Sequence, residues 1–141
     1  LSMSACGNNF GPFQNSEKFI PTSIAAAAKG LPIPIYGNGE NVRDWVHVDE
    51  HSNALLFIIE NSLKGGYNIG VNDEWSNQEL AKAINSAIGR PKNSIEFVED
   101  RPGHDRRYAL DSSKLRAAGW KPLGFRLSDS LVNLIAHYSR I

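Results

Sequence analysis

The hexapeptide Leu31-Pro32-Ile33-Pro34-Ile35-Tyr36 restricts this chain more than any other stretch of its sequence. A proline fixes φ near about −65° and removes a backbone donor, so two of them alternating with aliphatics rule out a helix and the middle of a sheet. The stretch must run as an extended edge strand, closed by a turn at Gly37-Asn38-Gly39. Before it, Thr22 to Gly30 is rich in strong helix formers, with Pro21 suited to the first turn, a cap near the start and a glycine stop. After it, Arg43 to Val48 reads as a strand. Asp49 is the expected cap of a helix from Glu50 to Asn61 whose Ala54, Leu55, Ile58 and Ile59 share one face.

Elsewhere, Leu1 to Cys6 reads as a strand with little alternation, the kind found inside a parallel sheet. Tyr67 to Gly70 and Ile95 to Val98 read as further strands. Ser76 with Glu79 has the form of a capping box for a helix from Asn77 to Ile88, ended by Gly89 and Pro91. Asp111-Ser112-Ser113 should cap a short helix from Lys114 to Ala118. In the last helix Leu127, Leu131, Leu134, Ile135 and Tyr138 make one apolar stripe, read as core. The 141 residues carry 15 basic and 15 acidic side chains, so no global field draws the chain to nucleic acid or an anionic membrane. The longest apolar runs, Ile24 to Ala28 and Leu55 to Ile59, fall far short of the roughly 20 residues that span a bilayer. A single cysteine, Cys6, permits no internal disulfide and is expected to be buried, and a cytoplasmic setting is the default expectation. The start has neither methionine nor the pattern of a secretory signal, so the sequence is expected to begin mid-protein.

Chemistry concentrates in two places. Arg101-Pro102-Gly103-His104-Asp105-Arg106-Arg107-Tyr108 sets three guanidinium groups, an imidazole and a phenol on a Pro-Gly turn. A guanidinium offers a rigid planar fork to two phosphate oxygens, so this loop suits an anion, against the plainer reading of a solvated basic face. Asn8 and Asn9 follow the first strand, at the carboxyl end where ligands bind in open α/β sheets, although Asn and Gly also make ordinary turns.

Taken in order, Asn8-Asn9-Phe10-Gly11-Pro12, Glu17-Lys18-Phe19-Ile20-Pro21, Pro34-Ile35-Tyr36-Gly37, Val42-Arg43-Asp44-Trp45, Tyr67-Asn68-Ile69-Gly70 and the Arg101 octamer resemble the carboxyl-terminal half of the dTDP-glucose 4,6-dehydratases. The match runs along essentially the whole chain, and the octamer is its most specific part. The resemblance implies an α/β fold of the extended short-chain dehydrogenase/reductase type, seen as part of a Rossmann-type parallel sheet with a small substrate domain. It implies residues 1–14 and 43–62 in the NAD-binding sheet, and 15–42 and 63–141 in the sugar-nucleotide domain. Asn8, Lys18, Phe19, Pro34, Ile35, Tyr36, Arg43, Asn77, Arg101 and His104 would then hold the substrate, with Arg43 and Arg101 on the diphosphate and Tyr36 stacking on the base. Asn9 would meet the nicotinamide end of NAD. For Asn77 the alternative is helix capping alone, while His47, His51 and His137 fall in no matching motif and are read as structural.

Family members usually carry serine at Gly7 and tyrosine at Phe10, which alters the polar detail of the pocket. The sequence holds no Gly-x-x-Gly-x-x-Gly turn for the NAD pyrophosphate and no Tyr-x-x-x-Lys pair, so the general acid/base groups of the family are expected upstream. The resemblance implies a lyase, commonly homodimeric, of which this chain would be an inactive piece. The alternatives are a UDP-sugar dehydratase or epimerase, and a non-catalytic sugar-nucleotide binding module.

Overall fold

The computed structural model describes residues 1–100 and 102–139. In chain order the elements are β1 (Ser2–Cys6), β2 (Asn8–Phe10), α1 (Phe19–Ala28), β3 (Ile33–Tyr36), β4 (Val42–His47), α2 (Val48–Glu60), β5 (Gly65–Ile69), β6 (Glu74–Ser76), α3 (Asn77–Ile88), β7 (Ile95–Val98), β8 (Arg107–Tyr108), α4 (Ser113–Ala117) and α5 (Leu127–Tyr138). The class is α/β with mainly parallel pairing. β1 runs parallel to β5 and β3 parallel to β7, while β4 has β2 and β8 parallel to it and β6 antiparallel.

The proline-bearing strand pairs with β7 alone among the described residues, as its missing donors require. Gly30, at φ 77°, ends α1 in a Schellman turn: its N–H bonds the Ala27 carbonyl and that of Leu31 bonds Ala26. The helix begins earlier than expected, at Phe19, and its N-cap Lys18 makes no side-chain cap bond. The Ser76–Glu79 capping box is present in full.

Four local expectations are corrected. Asn8 to Phe10 form a strand rather than a loop, because Asn8, Asn9 and Phe10 find parallel partners in Trp45, Val46 and His47, far away in sequence. Gly7, between β1 and β2, lets that crossing happen: a Cβ there would lie 2.8 Å from the Asp44 carbonyl oxygen. The cap of α2 is His47, whose Nδ1 accepts from the Asp49 N–H at 3.1 Å; Asp49 sits inside the first turn, where its charge meets the positive end of the helix. The expected apolar face of α2 also divides, since Ala54 and Ile58 are buried while Leu55 and Ile59 are 37% and 71% exposed. Ser112 is the N-cap of α4 but its hydroxyl donates to the Gly70 carbonyl instead of capping.

Two hydrophobic clusters flank β4. One gathers Phe10, Ile24, Ile33, Ile35, Trp45, Leu80, Ile84 and the buried stripe of α5; the other gathers Val46, Ala54, Ile58, Ile69, Val71, Leu115 and Trp120. Successive side chains of a strand point to opposite faces, so Arg43 and Trp45 lie on one side of β4 while Asp44 and Val46 lie on the other. No helix of the described residues is long and apolar enough to cross a membrane.

Candidate functional site

A cleft of about 700 Å³ opens where β2, β3 and β4 meet the start of α1 and α3. Asn8 and Asn9 reach it from β2, Lys18 and Phe19 from the start of α1, and Pro34 and Tyr36 from β3. Arg43 lines it from β4, Asn77 from the first position of α3, and His104 from the loop before β8. Ile35 stands apart: it is fully buried in the core, on the face of β3 opposite Pro34 and Tyr36. Arg101 lies outside the described residues.

Arg43 is anchored by backbone rather than by a carboxylate. Its Nη1 donates to the Val42 carbonyl and its Nη2 to the Asp105 carbonyl, each at 2.8 Å, which sets the guanidinium plane. The Asp105 carbonyl also accepts from Asn41 Nδ2 at 3.1 Å, so the loop carrying His104 is tethered to β4 at two points. His104 Nδ1 sits 2.7 Å from Asp100 Oδ1, and its ring meets the Tyr36 ring edge-on at 6.4 Å. Tyr36 is 42% exposed. Ser76 caps α3, which leaves the Asn77 side chain to the cleft rather than to capping.

Asn9 is the most thoroughly held of these groups. Its carbonyl accepts from Gln14 Nε2 at 2.8 Å, and its Oδ1 lies 3.0 Å from His51 Nδ1 in the first turns of α2. Burial pushes the His51 pKa below its ordinary value. The Tyr138 hydroxyl of α5 accepts from the Gln14 N–H and donates to the Gly11 carbonyl, both at 2.7 Å, pinning the segment after β2. Cys6 is half-buried rather than fully buried; burial pushes its thiol up to about 11, against a hydrogen bond from the Asn9 side chain that pulls it down.

Sequence reasoning missed Gln14, Glu17, Thr22 and Trp45, which line the same cleft. Two of these carried a usable signal: Trp45 is two residues from Arg43 on a strand and Thr22 is four from Lys18 on a helix, spacings that place each pair on one face. Trp45 Nε1 and Gln14 Oε1 are buried with no hydrogen-bond partner among the described residues, so the wall holds polar capacity that the protein leaves unused. The described wall thus combines the Lys18 and Arg43 cations, the Glu17 carboxylate, several carboxamides and aromatic rings, a set suited to a hydroxyl-rich ligand with an anionic and a planar group.

The family model described as NAD dependent epimerase/dehydratase family matches residues 3–70. A dTDP-glucose 4,6-dehydratase of Streptomyces griseus is 41% identical over 99% of this chain. The low-salt glycan biosynthesis protein Agl12 of Haloferax volcanii is 45% identical over 93% of this chain. The crystal structure of dTDP-glucose 4,6-dehydratase from Bacillus anthracis in complex with NAD superposes with a TM-score of 0.90 at 38% identity, over 99% of this chain and 44% of that one. The chain spans 42% and 43% of the length of the two curated relatives. Its α/β architecture is that of the extended short-chain dehydrogenase/reductase structures.

Proposed function

We propose that this chain is the sugar-nucleotide-holding part of a dTDP-glucose 4,6-dehydratase, which converts dTDP-glucose to dTDP-4-keto-6-deoxyglucose. The observation that carries the reading is the single cleft that collects Asn8, Lys18, Phe19, Pro34, Tyr36, Arg43, Asn77 and His104 from six separate stretches of chain. Arg43, with its plane fixed by two carbonyls, would grip the diphosphate, joined by Arg101. Tyr36 would stack on the base, while Asn8, Asn77 and His104 would bond the sugar nucleotide and Lys18 and Phe19 would close the sugar pocket. Ile35 would contribute through its backbone, its side chain being in the core.

The cofactor would be NAD, which accepts and returns a hydride when bound. This chain fits it at one point: Asn9 puts a carboxamide on the cleft wall from the short strand β2. The remainder of the NAD site and the proton-transfer groups would come from outside this sequence. Residues 1–14 and 43–62 would belong to the NAD-binding sheet and 15–42 and 63–141 to the substrate domain, in a cytoplasmic homodimer.

The test is turnover by the full-length protein supplied with NAD and either dTDP-glucose or UDP-glucose, with the 4-keto-6-deoxy product measured. Product from dTDP-glucose at a much higher kcat/KM supports the reading. Preference for UDP-glucose, or epimerisation without loss of water, would sink it.

A further inference from the structure

We propose that His51 is a positioning residue for the cleft: from α2 it fixes the rotation of the Asn9 carboxamide that a ligand meets there. This rests on the reading of Asn9 as a contact of the nicotinamide end of NAD. The backbone of Asn9 is held independently of His51, by parallel pairing with Val46 and by the Gln14 Nε2 bond to its carbonyl at 2.8 Å. That bond is itself supported by the Tyr138 hydroxyl, which joins Gln14 and Gly11. What these contacts leave undetermined is the rotation of the side-chain amide, whose ends differ as donor and acceptor.

Three contacts bear on it, with the Gly7 carbonyl, His51 and the Cys6 thiol. Nδ2 of Asn9 lies 3.4 Å from the Gly7 carbonyl, an acceptor only, and the reversed amide would set oxygen against oxygen there. With nitrogen at Gly7, Oδ1 faces His51 Nδ1 at 3.0 Å, and because a carboxamide oxygen only accepts, His51 must carry its proton on Nδ1. Nδ2 also hydrogen-bonds the Cys6 thiol, so the cleft that Asn9 lines meets the amide in one orientation. The Gly7 contact is long and a thiol is a weak acceptor, so without the imidazole the carboxamide would turn and present donor and acceptor alternately. Burial lowers the pKa of His51, which keeps the ring neutral at physiological pH and leaves the Nδ1 proton in place.

The experiment measures the NAD dissociation constant of the full-length protein, stripped of cofactor, by titration calorimetry. His51→Ala should weaken NAD roughly five- to tenfold, the loss of one ordering hydrogen bond. His51→Asn, whose amide N–H falls near the position of Nδ1–H, should stay within about twofold of the parent. In an Asn9→Ala background His51→Ala should change nothing further, because His51 acts only through Asn9. An unchanged constant in His51→Ala, or an undiminished loss in the Asn9→Ala background, overturns the proposal while leaving the dehydratase reading intact. Absence of NAD binding by the parent protein overturns both. If His51→Ala does not fold, His51→Asn against His51→Asp decides: the carboxylate can only accept and turns the amide round, so equal affinities would overturn the assignment.

Discussion

Arg43→Lys separates charge from geometry at the cleft. A guanidinium has five N–H donors, and two of Arg43's are spent on the Val42 and Asp105 carbonyls, each at 2.8 Å. Three remain, Nε–H and one on each Nη, in a plane that the two carbonyls hold still. Lysine keeps the charge but cannot bond both carbonyls and also offer a parallel pair to two phosphate oxygens. A charge-assisted bond contributes about 1.5–3 kcal/mol, so losing one member of the pair costs about 2 kcal/mol, roughly thirtyfold in Kd for dTDP. Arg43→Ala removes the rest of the pair, about 4 kcal/mol and roughly a thousandfold. The Asn41 bond to the Asp105 carbonyl survives both changes, so the loop bearing His104 stays tethered and the loss reports on Arg43 itself. Titration calorimetry of dTDP against the full-length protein reads these constants, and the gap between parent and Arg43→Ala should narrow with added salt. Both variants binding within about threefold of the parent would refute the assignment of Arg43 to the diphosphate.

Two further outcomes concern stability. Glu50 is fully buried and its carboxylate accepts the N–H groups of Leu123, Gly124 and Phe125 at 2.7, 2.6 and 2.9 Å. Glu50→Gln sets an amide NH2 against one of those donors, which should cost about 2–3 kcal/mol and lower Tm by several degrees; an unchanged Tm would contradict it. Hydrogen bonds from the Ser76 backbone and hydroxyl hold the Glu79 carboxyl below its ordinary 4.5. Its folded-state pKa is depressed, so its stabilisation is complete above about pH 4.5 and fades as pH falls through the lower folded value. The Tm difference between the parent and Glu79→Gln should therefore shrink on acidification, and a difference constant from about pH 6 to pH 3 would refute the capping argument.

What the sequence revealed was whatever the local chain decides for itself. The proline strand, the Ser76–Glu79 box and the Gly30 stop depend on residues a few positions apart, and each is found where the pattern put it. β2 was missed because Asn8 to Phe10 are turn-like residues made into a strand by Trp45 to His47, some 37 positions on, as the Asn8–Trp45 pairing gives. His47 was missed as a cap because histidine is not among the preferred N-cap residues, yet its Nδ1 accepts as a carboxylate oxygen would. The α2 face was read too widely because periodicity identifies a stripe without saying how much of it a neighbour covers. His51 was read as structural, since nothing in sequence spacing brings it to Asn9.

The geometry of the cleft is set from the far side of β4. Asp44 is 1% exposed, and its two oxygens accept separately from the Val71 and Asp73 N–H groups. Asp73 in turn accepts from Trp75 Nε1 and from the Leu127 N–H that opens α5. Gly70 allows this approach, because a Cβ there would meet the Leu110 carbonyl oxygen and lie 2.8 Å from Asp44 Oδ2. A carboxylate with both oxygens occupied cannot rotate without leaving a buried N–H unpaired, so Asp44 fixes the twist of β4 at the point where Arg43 and Trp45 project the other way. The path then runs down α5 to Tyr138, whose hydroxyl holds Gly11 and Gln14 beside Asn9. Arg43 and Asn9, on adjacent parallel strands, are thereby referred to one helix, α5, through Asp44 and Asp73 on one route and Tyr138 on the other. That common support explains how a cleft built from short strands and loops keeps its polar groups in register.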